Sequence, residues 1–393
     1  MKILYITFEN LSLHKGSVVH VRETIAGLRK RGHEVGLMGR ASEPFVGADA
    51  FYNLELRKVL VKGTARSKVF LYLVSSFFLF WSLIRVLPRY EVIYAREFHT
   101  VMVALIPSLL ARRNMVFEVN GLASEEQKLR CGPWSGRILE LILKKAEKWA
   151  AKSADRIVTV TPHLAAYMVE KMGCDSRKIT VVSNGVNVDH FRPIHEPAVL
   201  NPFKERWGIK KESPVVLFVG NLAPWQGVEY LVQAAPVLVT QFKHIRFLVV
   251  GSGPLKESLE VETVKQAVSN HFIFTGMADY QEIPYYINMA DVCLVLKRPL
   301  KSGYSPIKLY EYMACGKPVV ASRVEGLEFI ETERVGRLVA PEDPIMLGEA
   351  LVDLLEHPGE RIEMGERGRQ LVLKQFRWDS KVMEIETVLR ELA

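Results

Sequence analysis

The chain has 393 residues, 49% of them hydrophobic, with 52 basic against 44 acidic side chains and a net charge of +8. That length is long for a single core and comfortable for two domains. The positive excess is modest and spread along the chain, which excludes a dedicated nucleic-acid binder and suits an anionic partner, either a phosphorylated substrate or an acidic membrane surface.

In chain order, short apolar runs at 3–7, 34–38, 92–94, 116–119, 157–160 and 180–182 predict strands. Stretches with helical spacing at 20–31, 100–111, 138–154 and 162–171 fall between them. Strands alternating with helices describe a doubly wound parallel sheet, whose ligands sit at the carboxyl ends of the strands. A strand beginning at residue 3 leaves no room for a secretory leader. The four cysteines, Cys131, Cys174, Cys293 and Cys315, are scattered, as expected in a reducing, cytoplasmic compartment. No spacing resembles a metal-ligand set, and no metal or other cofactor is expected.

Residues 69–84 depart from this rhythm. They carry no charge and hold four phenylalanines, a tyrosine and a tryptophan, with Lys62, Arg66 and Lys68 before them and Arg85 and Arg89 after. An all-round apolar segment of this length is short for a membrane span. The readings left open are a buried helix of the first domain, a helix dipping into one leaflet beside anionic lipids, and a span.

Residues 187–214 are irregular and rich in proline and charge, which places a hinge there. The pattern restarts with strands at 215–219, 246–250, 272–274, 292–296 and 318–321, and ends on a helix at 379–392. The expected domains are residues 1–190, residues 191–378, and a terminal helix, 379–393.

The run from Gly303 to Ser322 predicts turn, helix, turn and strand. Ser305 suits the N-cap and Pro306 the first helical position, and Gly316 ends the helix. A helix start binds phosphate through its N–H groups and dipole. Glu311, about a turn and a half further on, offers a carboxylate to a vicinal diol such as ribose. Together these describe a nucleotide-sugar site.

The stretch Glu311-Tyr312-Met313-Ala314-Cys315-Gly316-Lys317-Pro318-Val319-Val320-Ala321-Ser322 resembles the donor-site signature of the retaining family 4 glycosyltransferases. Gly16-Ser17-Val18-Val19-His20-Val21-Arg22-Glu23, Val182-Ser183-Asn184-Gly185-Val186-Asn187, and Val219-Gly220-Asn221-Leu222 with Gln226-Gly227-Val228 resemble further segments of that family in order. The resemblance implies a GT-B fold, with two Rossmann-like domains facing a cleft and a C-terminal helix crossing back onto the first. It implies front-face transfer of a sugar from a nucleotide diphosphate sugar to a sugar or lipid-linked acceptor, without a metal. The basic charge and the 69–84 segment point to the lipid-linked alternative, and with it to a role in cell-envelope glycan synthesis at the cytoplasmic membrane face.

On this reading the donor meets Gly16, Ser17, Gly220, Asn221, Gln226, Gly276, Ser305, Ile307, Lys308 and Glu311. Lys308 is the candidate for steadying the leaving diphosphate. Asn120 and Glu118 lie near the reacting centre, with Arg96, His99, Glu125 and Glu126 on the acceptor side. Three positions depart from the family pattern. Gly303 stands where a sugar-binding Glu is usual, and Asn221 and Gln226 stand where an Arg and a Lys usually hold the diphosphate. Lys308, Arg298 and Lys301 are the replacements nearby. The rival readings are a non-catalytic GT-B partner subunit or glycan-binding protein, and a nucleotide-sugar epimerase.

Overall fold

The computed structural model describes residues 1–12, 15–42, 45, 47–54, 65–125 and 137–393. The chain divides into two compact units, Met1–Ser183 with Trp378–Ala393, and Asn184–Arg377.

The first unit is built on a seven-stranded sheet in the order β3-β2-β1-β4-β5-β6-β7. Its strands are β1 (Lys2–Asn10), β2 (Glu34–Arg40), β3 (Ala50–Asn53), β4 (Val92–Arg96), β5 (Asn114–Val119), β6 (Arg156–Thr159) and β7 (Ile179–Val181), with every neighbouring pair parallel. Strand order reverses between β1 and β4, and that is where an open sheet forms its ligand crevice. Buried Val, Ile and Tyr on both faces of β1 and β4 follow from having helices on both sides.

One face of this sheet packs under helices Ala65–Val86, Phe98–Ala111 and Arg137–Ser153, through Leu83, Val101, Ala104 and Ala150 among others. The opposite face packs under Gly16–Lys30 and the terminal helix Trp378–Arg390, through Val21, Ile25, Ile385 and Leu389. Glu386 locks that terminal helix in place. It is 3% exposed and takes Arg31, the His33 Nε2 at 2.9 Å and the Arg390 Nη2 at 2.6 Å. The terminal helix therefore belongs to the first unit, as the resemblance implied.

The second unit holds a six-stranded parallel sheet in the order β10-β9-β8-β11-β12-β13. These are β8 (Val215–Val219), β9 (Arg246–Val250), β10 (Phe272–Gly276), β11 (Val292–Val295), β12 (Val319–Ser322) and β13 (Gly336–Val339). Its switch point lies between β8 and β11. Both units thus have the Rossmann-like topology expected.

Of the four edge strands, sequence reading missed β3 and β13, and it also missed the helix Pro197–Arg206 within the irregular 187–214 stretch. It also started the first helix at residue 20, because Gly16 and Ser17 resemble turn residues. Residues 69–84 lie within the helix Ala65–Val86. Among the described residues, no helix is long and apolar enough to cross a membrane.

Candidate active site

In the second unit the carboxyl end of β8 turns through Gly220, whose φ of +143° favours glycine. A β-carbon there would lie 2.6 Å from the Lys308 Nζ, so the glycine also makes room for that ammonium. The adjoining loop is equally tight. A β-carbon on Gly251 would stand 2.0 Å from the Gly220 carbonyl oxygen, so the Gly251-Ser252-Gly253 turn serves close backbone packing.

Lys308 sits in the first turn of the helix Ile307–Ala314. Its ammonium lies 4.0 Å from the centre of the Phe218 ring and donates to the Gln226 Oε1 at 3.1 Å. Lys297, 7% exposed just beyond β11, donates to the same oxygen at 3.0 Å and lies over the Tyr304 ring at 5.0 Å. Two ammonium groups therefore converge on one amide oxygen beside Gly220. Burial, then the charge of Lys297, hold the Lys308 pKa well below the usual lysine value, against the opposing pull of Glu311. An anion docked here would relieve both effects.

Lys297 escaped the sequence reading, although a lysine directly after a buried strand stands where such sheets bind ligands. Arg298 is no substitute cation for this cluster, because its guanidinium pairs with Glu229 at 3.0 Å and Glu342 at 3.1 Å. Lys301 is exposed.

The helix carrying Lys308 is bolted to β8, since the Val219 N–H donates to the Tyr312 hydroxyl at 2.8 Å. Glu311 is buried on the same helix, 7% exposed. Ser305 is not the N-cap: Pro306 holds that position. The Ser305 hydroxyl instead accepts from the Asn184 N–H at 3.0 Å and meets the Tyr310 hydroxyl at 3.0 Å. Gly303 has a φ of +69°, a conformation in which a glutamate would be strained. Asn221 is exposed at the end of β8, and Gly276, at φ +73°, closes β10 with open space about its α-carbon.

In the first unit a cavity of about 360 Å³ lies at the carboxyl ends of β4 and β5. Ser17, Arg96, His99, Glu118 and Asn120 line it, as do Glu97 and Glu147. Gly16 and Ser17 form the first turn of their helix, and the Ser17 carbonyl accepts from the Arg96 Nη1 at 2.8 Å.

Glu118 is 1% exposed and fully engaged. Its carboxylate accepts from Tyr5 Oη at 3.2 Å and Asn120 Nδ2 at 2.5 Å, with His20 Nε2 at 2.7 Å and Arg96 Nε at 3.7 Å. Burial pushes its pKa up, but His20, Arg96 and Asn120 outweigh that and hold it at about 2. The group expected near the reacting centre is thus a buried, ionised anchor for the residues around it. His20 is the partner that sequence reading missed.

Glu97 has φ 65° and ψ 145°, a region normally reserved for glycine. Its carboxylate accepts from the Thr7 hydroxyl at 3.0 Å and the Phe8 N–H at 3.1 Å, and burial raises its pKa to about 7. Burial lowers His99 to about 4, so it is neutral at physiological pH. Glu125 is 9% exposed and lies apart from the cavity lining. Glu126 falls outside the described residues. Among the described residues, no group of three or more His, Cys, Asp or Glu side chains is arranged to hold a metal.

Residues 14–190 match the family profile described as Glycosyltransferase Family 4, and residues 213–357 match the one described as Glycosyl transferases group 1. The 2-deoxystreptamine glucosyltransferase of Streptomyces kanamyceticus is 30% identical over 246 residues, 61% of this chain and 61% of the relative. A GDP-mannose-dependent alpha-(1-6)-phosphatidylinositol monomannoside mannosyltransferase of Mycolicibacterium smegmatis is 28% identical over 253 residues, 63% of this chain and 65% of the relative. These matches span a little under two thirds of each relative's length. Among solved structures, sucrose-phosphate synthase from Thermosynechococcus elongatus superposes with a TM-score of 0.81 at 22% identity, covering 100% of this chain and 98% of that one. Anabaena Alr3699/HepE in complex with UDP-glucose gives 0.76 at 18% identity, covering 100% of both.

Proposed function

The chain belongs to the family 4 glycosyltransferases and has the GT-B fold; from that premise we propose that it is a retaining enzyme that moves a hexosyl or N-acetylhexosaminyl group from a nucleotide diphosphate sugar to a lipid-linked acceptor. The observation that carries this reading is the convergence of Lys297 and Lys308 on Gln226, at the start of the helix that also bears Glu311. Two cations and a helix start suit a diphosphate, and the carboxylate suits the ribose diol.

The acceptor hydroxyl oxygen attacks the anomeric carbon on the face from which the diphosphate departs. The carbon–oxygen bond to phosphate breaks, and the hydroxyl proton passes to the leaving phosphate oxygen. Negative charge grows on that diphosphate in the transition state, so Lys297 and Lys308 act most strongly there. They take the part of the Arg and Lys that the family usually has at positions 221 and 226.

The first unit is assigned the acceptor, at the cavity lined by Ser17, Arg96, His99 and Asn120. Glu118 is assigned a positioning role, fixing Arg96 and Asn120. A lipid-linked acceptor is supported by the phosphatidylinositol monomannoside named for one relative, and such an acceptor is met at a membrane surface.

Thermal-shift screening with UDP, GDP and ADP tests this proposal. A ligand at a hundred times its Kd adds about 2.7 kcal/mol, so one of the three should raise Tm clearly. Three flat responses would refute donor binding.

A further inference from the structure

The three helices over one face of the first sheet turn apolar side chains outward as well as inward. On Phe98–Ala111, Val101 and Ala104 face the core while Ile106, Leu109 and Leu110 are exposed, the last two at 69% and 71%. On Arg137–Ser153, Ala150 and Ala151 face the core while Leu141, Ile142 and Trp149 are exposed. On Ala65–Val86, Leu79 and Leu83 face the core while Phe77, Phe78 and Trp81 are exposed. A soluble surface helix puts polar groups there. Neighbouring helices that all fail to do so form a patch that needs a partner.

The charges around the patch identify that partner. Arg85, Arg112, Lys145, Lys148 and Lys152 are exposed on or next to these helices. Among their described residues no acidic side chain is exposed: Glu140 is half-buried and paired with Lys144 at 2.7 Å, and Glu147 is buried. Tryptophans and leucines interspersed with lysines suit the boundary between headgroups and acyl chains. A second copy of the chain fits poorly, because a two-fold contact would set like charges against one another.

We propose that this three-helix face is a docking surface for an anionic lipid leaflet, with its aromatic and aliphatic side chains entering the headgroup boundary and its lysines and arginines meeting lipid phosphates. It reaches beyond residues 69–84, because two of its three helices lie elsewhere in the sequence. It also bears on how an acceptor arrives. The helix Phe98–Ala111 begins at the cavity with Phe98 and His99, and Leu109, ten residues on, lies about 15 Å along its axis. Arg137–Ser153 likewise lends Glu147 to the cavity and its outer side to the patch.

Co-sedimentation with phosphatidylglycerol–phosphatidylcholine vesicles tests the proposal, with pure phosphatidylcholine vesicles as the neutral control. Wild type should pellet with the anionic vesicles at low salt and be released by high salt. Lys145→Gln/Lys148→Gln/Lys152→Gln should weaken partitioning about a hundredfold, and Leu109→Ser/Leu110→Ser at least tenfold. Both variants should keep the wild-type Tm and nucleotide affinity. Wild type left in the supernatant, or variants that bind as well as wild type, would overturn the proposal. So would a concentration-dependent dimer in analytical ultracentrifugation that Leu109→Ser/Leu110→Ser dissolves while vesicles go unbound. Nucleotide titration keeps the two readings separable: vesicle binding without nucleotide binding leaves this surface standing and removes the transferase.

Discussion

Lys297 and Lys308 reach the same oxygen of Gln226, at 3.0 and 3.1 Å, from two different elements of the second unit. Two cations on one neutral acceptor repel each other until an anion joins them, and on the function proposed above that anion is the donor's diphosphate, held without the usual cations at positions 221 and 226.

The first prediction concerns that pair. Lys297→Met and Lys308→Met should each weaken binding of the cognate nucleoside diphosphate by about 1.5–3 kcal/mol, the range for hydrogen bonds to charged groups. Each should lower kcat more than it raises KM, because the diphosphate gains charge in the transition state. Gln226→Lys in the otherwise wild-type chain should lower Tm by setting a third ammonium beside two. Calorimetric titration, steady-state kinetics and thermal unfolding read these effects.

The second prediction concerns protons. Burial and Lys297 depress the Lys308 pKa in the free protein, whereas a bound diphosphate favours the charged amine. Nucleotide binding should therefore take up protons, and affinity should fall as pH rises through the free-protein pKa of Lys308. Titrations in two buffers of different ionisation enthalpy measure the uptake. Lys308→Met should remove it, and a proton-neutral wild type would assign the depressed amine no part in binding.

The third prediction concerns Glu311. Glu311→Ala should weaken nucleotide binding by about 1.5–3 kcal/mol. A deoxynucleotide lacking the ribose 2′-hydroxyl should already lose part of that energy with the wild type, and should be less sensitive to the substitution. Equal sensitivity for both ligands would place Glu311 away from the ribose.

The fourth prediction concerns Glu118, held at about 2 against an ordinary value of 4.5. A carboxylate with a lowered folded-state pKa adds stability above its unfolded value and loses it as pH falls through the folded one. The contribution is on the order of 3 kcal/mol, present at pH 7 and lost between about pH 4.5 and pH 2. Glu118→Gln should lower stability at pH 7 and flatten that acid limb. Urea unfolding across pH measures both.

The parallel-sheet rhythm was legible because strands buried on both faces write continuous apolar runs such as Val215–Val219. The edge strands β3 and β13 were not: β3, Ala-Phe-Tyr-Asn, is only partly buried, and β13, Gly-Arg-Leu-Val, opens on a glycine and a half-buried arginine, so neither writes an unbroken apolar run. At the site, local spacing exposed Lys308 and Glu311, which share one short helix. It could not expose Lys297 or His20, because each meets its partner across a long separation: Lys297 reaches Gln226 71 residues away, and His20, on the helix Gly16–Lys30, reaches Glu118 on β5. Ser305 was misread for the same reason, its hydroxyl being claimed by Asn184, 121 residues earlier.

The measurement that most directly tests retaining transfer from a nucleotide sugar is proton NMR of slow donor hydrolysis, followed from its first minutes. With the cognate nucleotide sugar, wild type should release nucleoside diphosphate and a free sugar whose first-formed anomer matches the donor. The Lys297→Met/Lys308→Met variant should release neither at a comparable rate. First-formed sugar of the opposite anomeric configuration, or conversion of the donor into an isomeric nucleotide sugar, would contradict the account.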